Sequence, residues 1–411
     1  MDDEERKLKD FYEPFFSLFP DYYKVFDELI NNVMYKDIDC SFSLKDKLFL
    51  GLMGSSTIGC EFLLNEFKRR YAISFDDQSW MDQGLQCKDI PKRIKNISII
   101  NNILAHKPWI MDCRNFTVFE NGLSTFLFQS AIILTTVQRF ATILCTFKII
   151  IHYGINEEKN KINNEKEENN DIKKESSEKK GESDKDEEKA KIEMEKDDRE
   201  ELEIKKKKKK EEKIEKNKLI HSLKKKTEVK EDEDDKNNLD NKKEIFKKYI
   251  YELIASYSDF NQHVEKYLYT DDFNWEDNAK YFFMNLAGKD MEYLEKDLKF
   301  LEKMTLDNEK KTEAIEKYVM LIFGIRDNNY NYHNNNIFLS VEEKRIIKKI
   351  ACYPGKIQEL ELSTCLSIIS KKDFIHLIFI VAAAKQKVSL IFFAKTFEEF
   401  EGEYLQNHNN Y

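Results

Sequence analysis

The sequence predicts an all-α protein whose two helical segments are separated along the chain by a long, charged, disordered insert. Three observations carry that expectation. Gly (11) and Pro (5) are scarce in 411 residues, while helix formers abound, which favours long helices over many short strands. Apolar residues recur at helical spacing in several segments, and no segment shows a convincing strand alternation. Hydrophobic residues reach 41% and charged residues 35%, figures that conflict in one uniform globule unless the charge is concentrated in one place.

The elements follow in order. Pro20 and Asp21 open a helix whose Tyr22, Tyr23, Phe26, Leu29, Ile30 and Val33 form one apolar stripe. A second apolar run, 48–64, contains Cys60. Residues 97–111 come next, and then a long apolar helix that is expected to end near Gly154. From about 156 to 243, Lys, Glu, Asp and Asn dominate and aromatics vanish. Such a segment cannot bury enough apolar surface to offset the entropy of ordering it. Its hexalysine run, 205–210, reads as a solvated stretch neutralised by nearby acids, with nuclear import as the alternative. Helical periodicity resumes at Ile245, and residues 312–323 give another amphipathic helix with Ala314, Ile315, Tyr318, Val319 and Ile322 on one side. Ser340 and Glu343 make a capping box that opens a helix which Pro354 stops. The expected division is 1–154, a linker over 155–243, a second folded unit over 244–402, and a tail over 403–411.

Charge and motifs exclude several classes. The net charge of −9 comes from 77 acidic and 68 basic residues, which leaves no overall electrostatic footprint for nucleic acid. The acidic, apolar-poor opening is not that of a signal peptide, and the seven cysteines show no CxxC spacing, so reduced thiols in the cytosol are expected. The apolar stretches 126–151 and 374–384 are interrupted or too short for a membrane span and read as buried helices. No Cys/His cluster suits a metal, and no Gly-rich phosphate loop implies a nucleotide cofactor. His106 and His376 read as hydrogen-bonded structural histidines rather than ligands.

Several landmarks, in order, resemble the sestrin family. They are Phe19-Pro20-Asp21-Tyr22, Ser79-Trp80 with Gly84-Leu85, and the run from Ile100 to Ile110 that contains Leu104-Ala105-His106-Lys107-Pro108-Trp109. After the insert come Asn274-Trp275-Glu276-Asp277, Phe323-Gly324-Ile325-Arg326 and Ile350-Ala351-Cys352-Tyr353-Pro354. The resemblance implies two helical subdomains of alkylhydroperoxidase D-like fold. It also implies a cytoplasmic stress-response regulator that restrains TOR signalling through a protein complex of the GATOR type, with nuclear entry left open. Two further family activities, alkyl hydroperoxide reduction and leucine sensing, would be implied only where the matching residues persist.

They persist unevenly. The family's peroxide site resembles Cys-x-Tyr followed by a His, and here Cys60 stands with Phe62 and Phe67 in those places. Neither ring can donate a proton to a leaving alkoxide. Glu61 and Glu66 are expected to raise the thiol pKa by like-charge repulsion, so Cys60 reads as a packing residue, with catalysis as the alternative. The threonines and arginine of the leucine pocket have no clear counterpart. Thr305 and Thr312 cannot be matched, Leu366 falls where a tryptophan would, and Asp373, near His376, stands for the glutamate. Leucine binding in the family's manner is therefore not expected. The family's acidic partner-binding motif matches Asp327, Asn328, Asn329, Tyr330, Asn331 and Tyr332, which read equally as a partner contact or as a polar interhelical loop. Tyr330 and Tyr332 are expected to point in opposite directions. The expected function is thus regulation by protein–protein interaction, with a thiol-dependent hydroperoxide reductase and a pseudo-enzyme scaffold as alternatives.

Overall fold

In a computed structural model of the chain, the residues described are 13, 15–36, 41–119, 123–175, 267–304 and 309–408, with side chains described up to 151 and then over 267–402. Among them the architecture is helical, and residues before 156 pack with those after 246 as one compact unit.

Local chemistry sets the helix ends in the first half. Helix α1, Pro20–Tyr35, starts on a proline, whose missing N–H costs nothing in a first turn. Helix α2, Leu44–Ile58, opens with a capping box in which Ser43 and Asp46 exchange hydrogen bonds, and it closes on Gly59 in the left-handed region (φ 77°). The expected continuous run over 48–64 is therefore broken. Gly59 turns the chain, Cys60 becomes the residue preceding the next helix, and α3 spans Glu61–Ser74. Short α4, Ser79–Gln83, is followed by α5, Lys92–His106. Helix α6, Ser124–Glu175, continues beyond the expected end near Gly154 and into the charged segment. Residues 176–243 of the expected insert, and the periodic segment 245–254, lie outside the described residues.

The second half begins with strand β1, Leu268–Tyr269, which pairs in parallel with β2, Ile325–Arg326; these two short strands are the described exception to the helical expectation. A π-helical turn at Trp275–Ala279 leads into α7, Lys280–Leu286, and then α8, Lys289–Lys303. Helix α9 is Glu309–Ile322 and α10 is Asn334–Phe338. Helix α11, Val341–Cys352, opens on the expected Ser340–Glu343 capping box and stops before Pro354. Helices α12, Glu359–Leu366, and α13, Lys371–His408, complete the fold.

Among the described residues, two helices are long and apolar enough to cross a membrane, over Ser124–Ile151 in α6 and Lys371–Gly402 in α13, and both are buried almost entirely by other parts of the chain. They bring the halves together. Phe128 of α6 meets Phe283 of α7 and Phe393 and Phe397 of α13 with centroids 4.7–5.2 Å apart, mostly edge to face. At the other end, Phe16, Tyr22 and Phe147 surround Phe379. Helix α1 lies along α8, and α5 packs on α13.

Candidate functional site

The corner between α2 and α3 holds the first candidate. The Cys60 amide donates to the Ser55 carbonyl (3.0 Å), and its own carbonyl accepts from Leu64 as the first bond of α3. The thiol is buried at the start of that helix, where free backbone amides point. The Cys145 thiol of α6 is the neighbour that acts most strongly on its ionisation. That influence, helped by the amides of Leu63 and Phe62 and by the Lys148 ammonium, holds the Cys60 thiol below its ordinary range despite burial. The expected upward push from Glu61 and Glu66 is therefore overturned. Glu66 turns away to an ion pair with Arg69 (2.9 Å) and Arg70 (2.6 Å), and Glu61 acts instead on Cys145. Phe67 is buried, its ring so close to Gly51 that a β-carbon there would lie 2.6 Å from it.

The cysteine pair has neighbours that sequence reading missed. Cys145 is held well above the ordinary thiol range, first by the influence of Cys60 and then by burial. Lys385 of α13 is buried within electrostatic range of Cys145 and Cys352. Its ammonium has no hydrogen-bond partner among the described residues, and burial pushes the amine down to about 8. Burial also pushes Cys352 up to about 12. His106 is driven down to about 4 by burial and by Lys385, with the Thr57 backbone pulling the other way. A buried amide network, in which Asn101 donates to Thr57 (2.7 Å) and Gln138 to Asn101 (2.8 Å), ties α2, α5 and α6 together here. Lys385 directly follows the apolar stretch 374–384. The signal that could have found it is the apolar run that resumes at Val388, which places the lysine inside one long buried helix.

The second candidate is the loop after β2. Gly324 takes the left-handed conformation (φ 87°) that lets the chain leave α9 sharply and enter β2. Asp327 is half-buried and bonded to Lys317 (2.5 Å); burial opposes its ionisation, but that ammonium and the Asn329 amide hold its carboxyl below the usual range. The Asp327 amide donates to the Tyr332 hydroxyl (2.9 Å), and the Tyr330 hydroxyl donates to Asn335 (2.9 Å). The two tyrosine rings meet edge to face at 5.1 Å, so the expected opposite orientation is replaced by a shared aromatic platform. The loop is a folded turn rather than an extended strand, which removes the alternation on which that expectation rested. Arg326, Asn328, Asn329 and Asn331 are the exposed residues on it.

The remaining expected residues are dispersed. Asp373 accepts from the Ser370 hydroxyl (2.6 Å) at the start of α13, and His376 packs on Phe19 with centroids 5.5 Å apart. Thr312 is buried on α9, Leu366 is half-buried at the end of α12, and Thr305 lies outside the described residues. These side chains sit on α9, α12 and α13.

The profile of the PA26 p53-induced protein (sestrin) family matches residues 6–400. Over 397 residues the chain is 21% identical to mouse (Mus musculus) Sestrin-3, covering 86% of this chain and 78% of that protein. Over 403 residues it is 19% identical to human (Homo sapiens) Sestrin-2, covering 91% and 80% respectively. A shorter match, 30% identical over 90 residues, joins 22% of the chain to 19% of the Caenorhabditis elegans sestrin homolog.

Proposed function

Because this chain belongs to the sestrin family, we propose that it restrains TOR signalling by binding a partner complex of the GATOR type, with the turn 326–332 as the contact. It is a sestrin-like stress-response protein, and the finer role rests on that turn. The supporting observation is its construction: Asp327, Tyr330 and Tyr332 brace one another and α9, while Arg326, Asn328, Asn329 and Asn331 are left exposed on that base. A rigid, preorganised turn gives up little entropy on binding. The residues to test are the exposed amides, since Asp327 is spent on Lys317. Asn328→Lys with Asn329→Lys is expected to weaken capture of the partner complex by roughly tenfold, about 1.4 kcal/mol, and to release TOR kinase activity, with the melting temperature unchanged. Equal capture by this variant and the wild type would remove the turn as the interface.

A second reading, thiol-dependent reduction of alkyl hydroperoxides at Cys60, is favoured by the place of this thiol at a helix start, where it is held below its ordinary range. Turnover of cumene hydroperoxide that disappears in Cys60→Ser would establish it. Equal rates in the two proteins would end it.

A further inference from the structure

We propose that the rings of Tyr71, Phe75 and Trp80 form an aromatic cage for a methylated lysine side chain of a partner polypeptide, a site that Lys45 of the same chain occupies in this structure. The cage shares no residue with the turn 326–332 or with Cys60, so it stands whether or not either reading above holds.

Three consecutive pieces of chain build it. Tyr71 lies in the last turn of α3, Phe75 follows that helix, and Trp80 lies in α4. The Lys45 ammonium is 5.9, 5.8 and 4.6 Å from the three ring centroids, close enough for each ring to attract a cation. Asp77 completes the site by accepting a hydrogen bond from that ammonium at 3.0 Å. The walls are fixed by contacts of their own. The Tyr71 and Phe75 rings are 5.1 Å apart, and Trp80 meets Phe49 of α2 edge to face at 5.6 Å. The Phe75 amide donates to the Tyr71 carbonyl (3.0 Å), and the Ser79 amide donates to the second oxygen of Asp77 (3.0 Å). Walls held in this way give up little entropy when a cation enters.

Lys45 is a displaceable occupant. It is the second residue of α2, where the helix dipole disfavours a cation. Its side chain is 23% exposed and that of Asp77 is 58% exposed, so the ammonium sits at an opening rather than in a sealed core.

The chemistry of the ligand follows from that occupant. A lysine already fills the cage, so a four-carbon stem with a terminal ammonium fits it. Methyl groups on the nitrogen make the cation easier to take out of water and add contact with the ring faces. Asp77 requires an N–H, which a dimethylated lysine keeps and a trimethylated one lacks. The cage therefore favours dimethyllysine over unmodified lysine, over trimethyllysine and over choline, which has neither the N–H nor the stem. Lys45 competes as a tethered ligand with an effective concentration on the order of millimolar, which weakens the apparent affinity of any incoming lysine.

The test titrates full-length wild type and Lys45→Ser with dimethyllysine blocked at its α-amino and α-carboxyl groups, read by calorimetry and by the ligand's methyl proton resonances. Lys45→Ser is expected to bind roughly tenfold more tightly than the wild type, because the tethered competitor is gone. The methyl resonances should move upfield in the ring currents, and unmodified lysine, trimethyllysine and choline should each bind more weakly. Adding Asp77→Asn, an exposed change that leaves the rings in place, should weaken dimethyllysine and erase its advantage over trimethyllysine. The wild type should give the same order of preference at higher ligand concentration, so the result does not hang on one variant. No saturable binding by either protein, equal affinity in the two, or tighter binding of choline would each overturn the proposal.

Discussion

Asp290 faces α2 from α8, and burial pushes its carboxyl up to about 6 against the opposing pull of Lys47. One of its oxygens has no hydrogen-bond partner among the described residues, and the Lys47 ammonium donates to the Lys36 carbonyl instead (2.7 Å). A carboxyl raised in the folded state binds its proton more tightly there than in the unfolded chain. Its contribution to stability is therefore fully present below pH about 4 and is lost as pH rises through about 6. At pH 7 the ionised group costs up to about 3 kcal/mol. Asp290→Asn is expected to raise stability at pH 7 by about 1–3 kcal/mol, and the gain should vanish below pH 4, as read by urea unfolding at both pH values. Neither this carboxyl nor Lys385 was legible in the sequence, where each reads as a charge at a helix end. Their burial comes from residues more than a hundred positions away.

Gly59 decides the form of an element. Apolar periodicity runs on through 48–64, so the sequence reads as one helix, but a single left-handed residue ends α2 and turns Cys60 from a mid-helix packing residue into the residue before α3. The Gly59 amide satisfies the carbonyls of Ser55 and Ser56, and a β-carbon there would meet nothing within 4 Å. The cost of Gly59→Ala is thus conformational, about 1–2 kcal/mol. Gly51→Ala would press on the Phe67 ring and should cost a further 1–2 kcal/mol, typical of overpacking; thermal unfolding of the two variants gives the comparison. Elsewhere the local signals were sufficient. Ser340 and Glu343 form their capping box as expected, because a cap depends on four consecutive residues and on nothing distant.

Arg139 joins the two halves at the scale of the whole molecule. It is fully buried on α6 and bonds Asp297 of α8, the Tyr22 hydroxyl of α1 and Gln386 of α13. Burial works against its charge, but Asp297 and Tyr22 more than restore it. Removing one partner would leave a buried charge unpaired, so Asp297→Ala is expected to cost about 3–5 kcal/mol. The double change Arg139→Met with Asp297→Leu should recover most of that loss, because an apolar pair needs no solvation; chemical denaturation of the single and double variants measures the difference. By itself the sequence determined the helical class, the concentration of charge after residue 155, the caps, and the run of landmarks that places the chain among sestrins. Each of these depends on residue type and short spacing, which the chain carries wherever it folds. Tertiary structure alone decided that Cys145 and Lys385 gather near Cys60, that Glu66 turns from the thiol to two arginines, and that Tyr330 and Tyr332 share one face. Those outcomes depend on which helix lies against which, and close contact between groups far apart in sequence has no signature in local periodicity.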